Sequence, residues 1–108
     1  YRMTKALLEE GVDCTAIFAI SDSLAIGAVR ALIDAGKRVP MDISVAGFDG
    51  TEMAAYYNPS ITTIRQPAET MARETIKLLF DNIKKKTNVQ QLIFEGELVS
   101  GESVKKIN

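Results

Sequence analysis

Residues 42–50 read DISVAGFDG, a short apolar run of β-prone side chains that ends on Asp49. Residues 16–22, AIFAISD, repeat this pattern and end on Ser21 and Asp22. Both runs have the composition of buried strands, and a buried strand gains nothing from a charged side chain at its end. The repeated pattern therefore indicates a polar ligand cleft beside the two strand ends.

Helical and extended patterns alternate along the chain, which predicts an α/β fold with a mostly parallel sheet flanked by helices. The strand at Ile17–Ile20 is continuously apolar, and this favours burial of both of its faces. Gly11 and Gly36 follow two of the helices, as C-terminal glycines do. The predicted helices cover residues 1–10, 23–35, 51–57 and 67–86, and the predicted strands cover 17–20, 43–48, 61–66, 91–94 and 98–100.

In an open α/β sheet, ligands bind outside the carboxyl ends of the parallel strands, so both acids are expected at one edge. Ionised carboxylates accept hydrogen bonds and donate none, so they suit hydroxyl and ring N–H groups better than phosphate. Asp22 directly precedes a helix, which favours an N-cap role for it and leaves Ser21 as the better ligand candidate. For Asp49 the pattern leaves two roles open, a cap for the helix over 51–57 and a ligand contact.

The helix over 23–35 is apolar nearly all round, with Arg30 and Asp34 as its clearly polar positions. One face is enough to cover a sheet, and it consists of Ala25, Ala28, Val29 and Leu32. The other face, with Ile26, Arg30 and Ile33, needs a partner. That partner is another chain, another part of the protein, or a helix of the same lobe.

Composition is that of a globular chain, with 46% hydrophobic and 25% charged residues. The net charge of −1 offers no overall field for nucleic acid, and no apolar stretch approaches the ~18 residues of a membrane span. The chain has no initiator Met and opens inside a helical pattern, so we expect it to be part of a longer protein.

Catalysis is not expected. The sequence contains no His, one cysteine at Cys14 and no Gly-rich phosphate loop. The two strand-end acids would make a dyad, but no nucleophile or metal-binding set accompanies them. We therefore expect neither an enzyme nor a protein with a bound metal or cofactor.

Four segments occur together in a fixed order: SDSLAIGAVRAL at 21–32, GKRVPMDISVAGFD at 36–49, PSITTIRQP at 59–67 and ELVSGES at 97–103. As a set they resemble the C-terminal part of the lactose-repressor/galactose-repressor family of bacterial transcription regulators, over nearly the whole chain. Ala72 stands where the family usually has Gly, and Gly101 where it usually has Arg. Neither departure touches the predicted cleft.

The resemblance implies a cytoplasmic regulator with an N-terminal helix-turn-helix, a hinge helix and a two-lobed effector domain of the type I periplasmic-binding-protein-like fold. Residues 1–65 and 89–108 would belong to the C-terminal lobe, and the crossover helix over 66–88 to the N-terminal lobe. The DNA-binding head lies outside this chain. The implied function is to bind a small-molecule effector, a sugar or a related metabolite, in the cleft and so control operator DNA binding by a homodimer.

By position, Ser21, Asp49 and Gln66 match family residues that contact the effector. Asp22 matches the residue beside that contact, in agreement with a cap. The resemblance therefore assigns the predicted cleft to effector binding.

The resemblance also assigns a dimer interface. Ile26, Arg30 and Tyr57 match family residues of that interface. This agrees with the second apolar face of the helix over 23–35, which was inferred from the residues alone.

Two other protein classes share parts of the pattern. An extracytoplasmic sugar-binding protein of a transporter has the same fold and favours GFDG, whereas RVPMDISV and PSITTIRQP resemble the regulators. A phosphoacceptor receiver domain also carries strand-end acids, but it needs an acidic pair after the first strand and a strand-end Lys, where this chain has Arg65. We therefore expect the regulator and retain the transport protein as the alternative.

Overall fold

The computed structural model describes residues 1–85 and 90–107 of the 108-residue chain. Helices and strands alternate along it, so the predicted α/β fold class is confirmed. Gly11 and Gly36, with φ of 73° and 74°, follow the first two helices as predicted. In chain order the elements are α1 (Arg2–Glu9), β1 (Ala16–Phe18), α2 (Asp22–Asp34), β2 (Ser44–Ala46), α3 (Glu52–Tyr56), β3 (Thr63–Arg65), α4 (Ala68–Lys85) and β4 (Glu97–Val99).

The first three strands run parallel. β1 pairs with β2 in a register that places Ile17 opposite Val45. The chain leaving β2 continues beside β3, where the amide of Gly47 donates to the carbonyl oxygen of Thr62 at 2.9 Å. β4 pairs with β3 in the antiparallel direction. The carboxyl ends of the three parallel strands therefore meet at one edge of the sheet.

α2 covers one side of the sheet with the face that the sequence predicts. Full burial of each large side chain there contributes about 1.5–3 kcal/mol. The cluster buried between α2 and the sheet includes Ala25, Val29, Leu32, Val45 and Ile61. α1 packs beside α2, and Gly27 allows this close approach, since a Cβ at that position would lie 2.9 Å from the Tyr1 nitrogen.

The other side of β1 is open to solvent. Phe18 is 65% exposed and Ile20 76%, so the expectation that this strand is buried on both faces is wrong. α2 covers the side that carries Ile17 and Ala19, and none of the residues that the structure describes covers the opposite side. The apolar pattern of this strand is therefore satisfied on one side only.

The strand predicted at 91–94 is wrong, because residues 90–96 have no regular secondary structure. β4 lies just beyond them and overlaps the strand predicted at 98–100. A β-prone segment becomes a strand only where a neighbour supplies hydrogen bonds, and β3 supplies them to residues 97–99.

α4 leaves its apolar side exposed to water. Its predicted end at Lys86 lies outside the described residues. Because α4 packs little against the rest of the described chain, the chain is elongated, with a radius of gyration of 18.1 Å against about 13 Å for a compact domain of this size. Four large apolar side chains of α4 are 53% to 68% exposed: Ile76, Leu79, Phe80 and Ile83. None of the helices in the described ranges is long and apolar enough to cross a membrane.

Candidate functional site

The two predicted acids lie at the same edge of the sheet. The amide of Asp22 donates to the carbonyl oxygen of Phe48 at 2.7 Å, which joins the start of α2 to the chain leaving β2. Asp49 follows Phe48 directly. The shared edge that the two strand ends predict is therefore confirmed.

Asp49 occupies the point where the chain turns away from the sheet, and its φ of 114° is unusual for a residue other than glycine. Its amide donates to the Ile64 carbonyl at 2.9 Å, and its carbonyl accepts from the Gln66 amide at 3.2 Å. The Gln66 side chain adds a third bond, in which Nε2 donates to Asp49 Oδ1 at 2.8 Å. The structure thus brings together two of the three residues predicted to bind an effector, and both are half-buried.

Ser21, the third of these residues, is the N-cap of α2. Its Oγ accepts from the Leu24 amide at 3.3 Å, and its φ of −152° is the extended conformation of a cap. A hydroxyl that accepts one bond still has a proton to donate. Ser21 is half-buried and therefore keeps a donor at the edge where Asp49 offers an acceptor.

The N-cap role that the pattern favours for Asp22 is wrong. Asp22 is the first residue of α2 and is 0% exposed. Its carboxylate accepts from the amide and hydroxyl of Thr51 at 2.7 and 2.9 Å, and from the hydroxyl of Thr63 at 2.5 Å. Three donors satisfy a buried carboxylate more fully than one helix amide does, and the adjacent Ser21 takes the cap instead.

Thr51 also decides between the two roles left open for Asp49. Its Oγ1 accepts from the Ala54 amide at 3.4 Å, which makes Thr51 the N-cap of α3. Asp49 is therefore not the cap. Of its two carboxylate oxygens, Oδ1 accepts from Gln66, and Oδ2 has no partner among residues 1–85 and 90–107.

The charges at this edge suit a neutral ligand with hydroxyl groups. The Arg65 guanidinium at the end of β3 lies 3.5 Å from the Glu97 carboxylate, and both are exposed. Asp49 places a carboxylate on the turn and Asp22 a buried carboxylate behind it, and both repel anions. In the described parts of the chain, no group of three or more His, Cys, Asp or Glu side chains is placed to hold a metal ion.

The residues predicted at a dimer interface lie on and near α2. Arg30 Nε pairs with Asp34 Oδ1 at 2.9 Å, and Asp34 Oδ2 accepts from the Tyr1 hydroxyl at 2.9 Å. These hydrogen bonds, that of Tyr1 first, lower the pKa of the exposed Asp34 carboxyl. Ile26 and Tyr57 are partly buried against the core. The role of these side chains in a dimer stays a prediction.

The sequence matches the family profile of the periplasmic binding protein-like domain over residues 2–104. The HTH-type transcriptional regulator MalR of Clostridium butyricum is 47% identical over 103 residues, which is 95% of this chain and 31% of the relative. The chain thus spans about a third of the length of such a relative.

Two solved structures are also similar to this chain. The lac repressor dimer bound to operator and the anti-inducer ONPF superposes with a TM-score of 0.89 at 31% identity, over 96% of this chain and 36% of that one. The transcriptional regulator CelR in complex with cellobiose superposes with a TM-score of 0.85 at 38% identity, over 93% and 31%. These relatives are regulators and not transport proteins. The chain belongs to the periplasmic binding protein-like domain family, in the branch of the lactose-repressor-type transcription regulators.

Proposed function

We propose that this chain forms the effector-sensing part of a bacterial transcription regulator, whose cleft binds a sugar or a related metabolite and thereby controls operator binding. The observation that carries the proposal is the Asp49–Gln66 pair at the carboxyl edge of the sheet. Ligands of open α/β folds bind at this edge, and the pair combines a charged acceptor with an amide.

The side chains at the edge match the chemistry of sugar hydroxyls. Asp49 offers Oδ2 as an acceptor, the Gln66 amide offers its carbonyl oxygen, and Ser21 offers a hydroxyl proton. Sugar hydroxyls both donate and accept, so such a mixed set satisfies them. The related regulator CelR binds cellobiose, which supports a carbohydrate ligand for this chain.

We assign residues 1–65 and 89–108 to the C-terminal lobe and the crossover helix over 66–88 to the N-terminal lobe. The exposed apolar side of α4 supports this division. Burial of its four large side chains would contribute about 6–12 kcal/mol, at about 1.5–3 kcal/mol each. In this proposal, operator DNA contacts only an N-terminal domain of the intact protein. The protein is cytoplasmic and has no catalytic activity, cofactor or membrane partner.

We further propose that the intact protein is a homodimer, with Ile26, Arg30 and Tyr57 in the interface. Substitution Ile26→Glu would bury an unpaired charge there, so the full-length dimer should dissociate at micromolar concentration. Sedimentation velocity measures this directly, with Leu92→Glu as a control at an exposed apolar position. An intact Ile26→Glu dimer would show that this side of α2 is covered by its own chain.

The proposed function is tested with the full-length protein. Duplex DNA is selected from a random pool, and retention of the selected DNA is measured with and without glucose, ribose, maltose and cellobiose. We expect sequence-selective binding that one of these sugars strengthens or weakens. Protein that binds no DNA selectively would contradict the proposal, and DNA affinity that none of the four sugars changes would exclude them as the effector.

A further inference from the structure

The buried Asp22 carboxylate is the centre of hydrogen bonds that reach both residues after Asp49. Thr51 donates to Asp22 Oδ2 through its amide and its hydroxyl. Thr63 Oγ1 donates to Asp22 Oδ1 and also accepts from the Gly50 amide at 3.3 Å. Asp22 therefore holds Thr51 directly and holds Gly50 through one intervening hydroxyl.

The turn that these bonds hold, residues 49–51, is conformationally demanding. Asp49 and Gly50 have φ of 114° and 72°, in a region that L side chains rarely adopt. A Cβ at Gly50 would collide with Arg65, so the chain also passes very close to β3 here. Such a backbone persists only where its surroundings over-determine it. β3 pairs with Asp49 itself, and the Asp22 network fixes the two residues that follow.

Asp22 itself cannot touch a ligand, because it is completely buried and three donors occupy its carboxylate. The space around it is tight. A Cβ at Gly47 would lie 2.5 Å from Asp22 Oδ1, so glycine leaves room for the carboxylate. Any effect of Asp22 on ligand binding must therefore act through the turn.

We propose that Asp22 is a positioning residue of the effector site. Together with Thr51 and Thr63, its carboxylate fixes the turn 49–51 so that Asp49 faces the cleft before a ligand arrives. A turn that is ordered in advance loses less conformational freedom on binding, so the network raises affinity without touching the ligand. This inference rests on the effector-binding role proposed for Asp49.

The test uses two substitutions of one network residue in the full-length protein. Thr63→Val keeps the shape of the side chain and removes the hydroxyl, whereas Thr63→Ser keeps the hydroxyl. Hydrogen exchange of the turn 49–51 is measured against exchange in β2. Thr63→Val loses the hydrogen bonds of this hydroxyl to Asp22 and Gly50, so we expect it to accelerate exchange in the turn by at least about tenfold, and Thr63→Ser to leave exchange close to wild type.

Unchanged exchange in Thr63→Val, or an equal acceleration in β2, would overturn the inference, because the hydroxyl would then not hold the turn specifically. Calorimetry with cellobiose and the other three sugars supplies the second measurement. For a sugar that wild type binds, Thr63→Val should weaken affinity about tenfold and Thr63→Ser should restore it. A loosened turn with unchanged affinity would also overturn the inference. If wild type binds none of the four sugars, they are excluded as effectors, while hydrogen exchange still decides whether Asp22 fixes the turn.

Discussion

Asp22 and Asp49 follow neighbouring parallel strands and meet at one edge, yet their surroundings are opposite. Asp22 is buried on a helix, with three donors on its carboxylate. Asp49 is half-buried on a strained turn, where within the described residues one carboxylate oxygen accepts from Gln66 and the other has no partner. The same sequence pattern therefore produces one acid that stabilises the edge, Asp22, and one that can contact a ligand there, Asp49. Loss of Asp22 should lower stability and, through the turn, affinity, whereas loss of Asp49 should lower affinity alone.

Substitution of Asp22, the acid that stabilises the edge, should have the largest effect, and that effect is on the free energy of unfolding. Asp22→Ala would leave the buried Thr63 hydroxyl without its acceptor and would break the two hydrogen bonds of the exposed Thr51. We expect the free energy of unfolding to fall by about 2–4 kcal/mol, because a hydrogen bond to a charged acceptor contributes about 1.5–3 kcal/mol and water replaces the bonds of Thr51 in part. Urea unfolding of the full-length protein measures the loss. Asp13→Ala, at an exposed acid before β1, is the control, and equal stability of the two variants would break the comparison.

Substitution of Asp49 should lower effector affinity and leave stability unchanged. Asp49→Asn keeps a residue that tolerates positive φ and removes the charge, so the turn should survive. We expect effector affinity to weaken by about 1.5–3 kcal/mol, since a charge-assisted acceptor is lost. Calorimetry measures affinity, and circular dichroism checks the fold, with Asp13→Asn as the matched control. Unchanged affinity with an intact fold would remove Asp49 from the site.

Ser21 combines both roles in one hydroxyl. Ser21→Ala removes the cap of α2, which should cost about 1 kcal/mol of stability. It also removes a donor to the ligand, which should weaken binding by about 0.5–1.5 kcal/mol. Ser23→Ala, in the exposed first turn of α2, should change neither quantity by more than about 0.5 kcal/mol. A Ser21→Ala variant that loses stability and keeps full affinity would leave Ser21 as a cap only.

Asp42 provides a comparison for the two acids of the edge, because it lies away from the sheet edge and pairs with the Arg38 guanidinium. Hydrogen bonds from the Arg38 guanidinium hold the pKa of the Asp42 carboxyl well below its ordinary value of 3.8, and the Arg38 backbone amide makes the second-largest contribution. A lowered folded pKa means that the stabilisation is complete above pH 3.8 and is lost as pH falls from there through the folded pKa. The melting temperatures of wild type and Arg38→Gln should differ slightly and constantly at neutral pH and converge in strong acid. A difference that widens in acid would contradict this assignment.

Apart from the strand expected at 91–94, the element order, the parallel sheet and the shared edge could be predicted, because they follow from periodicity and from the chemistry of glycine and β-prone residues. The Asp49–Gln66 pair was expected only through the family resemblance, since the two side chains are 17 residues apart. Position alone could not separate Ser21 from Asp22 as the cap. Both residue types cap helices, and the outcome depends on which one meets other donors.

Those donors could not be predicted, because Thr51 and Thr63 lie 29 and 41 residues from Asp22. One local signal was available. Gly47 interrupts a strand-like run, and a glycine there often marks a group that approaches closely, in this case the Asp22 carboxylate. The prediction that β1 is buried on both faces failed for a different reason. An apolar pattern indicates that both faces need cover, but it does not indicate whether the same chain supplies that cover.

The place of Gln66 in the chain gives the edge a mechanical consequence. Gln66 bonds the Asp49 side chain, and its carbonyl also accepts from the Ala68 amide at 2.9 Å, at the first residue of α4. Pro67 lies between them and has a nearly fixed φ, which removes one of the backbone rotations at this point. α4 has 18 residues and is therefore a lever of about 27 Å, whose fulcrum lies beside the candidate ligand contact. A rotation of α4 by about 10° about Gln66 would carry the far end of the helix through about 5 Å.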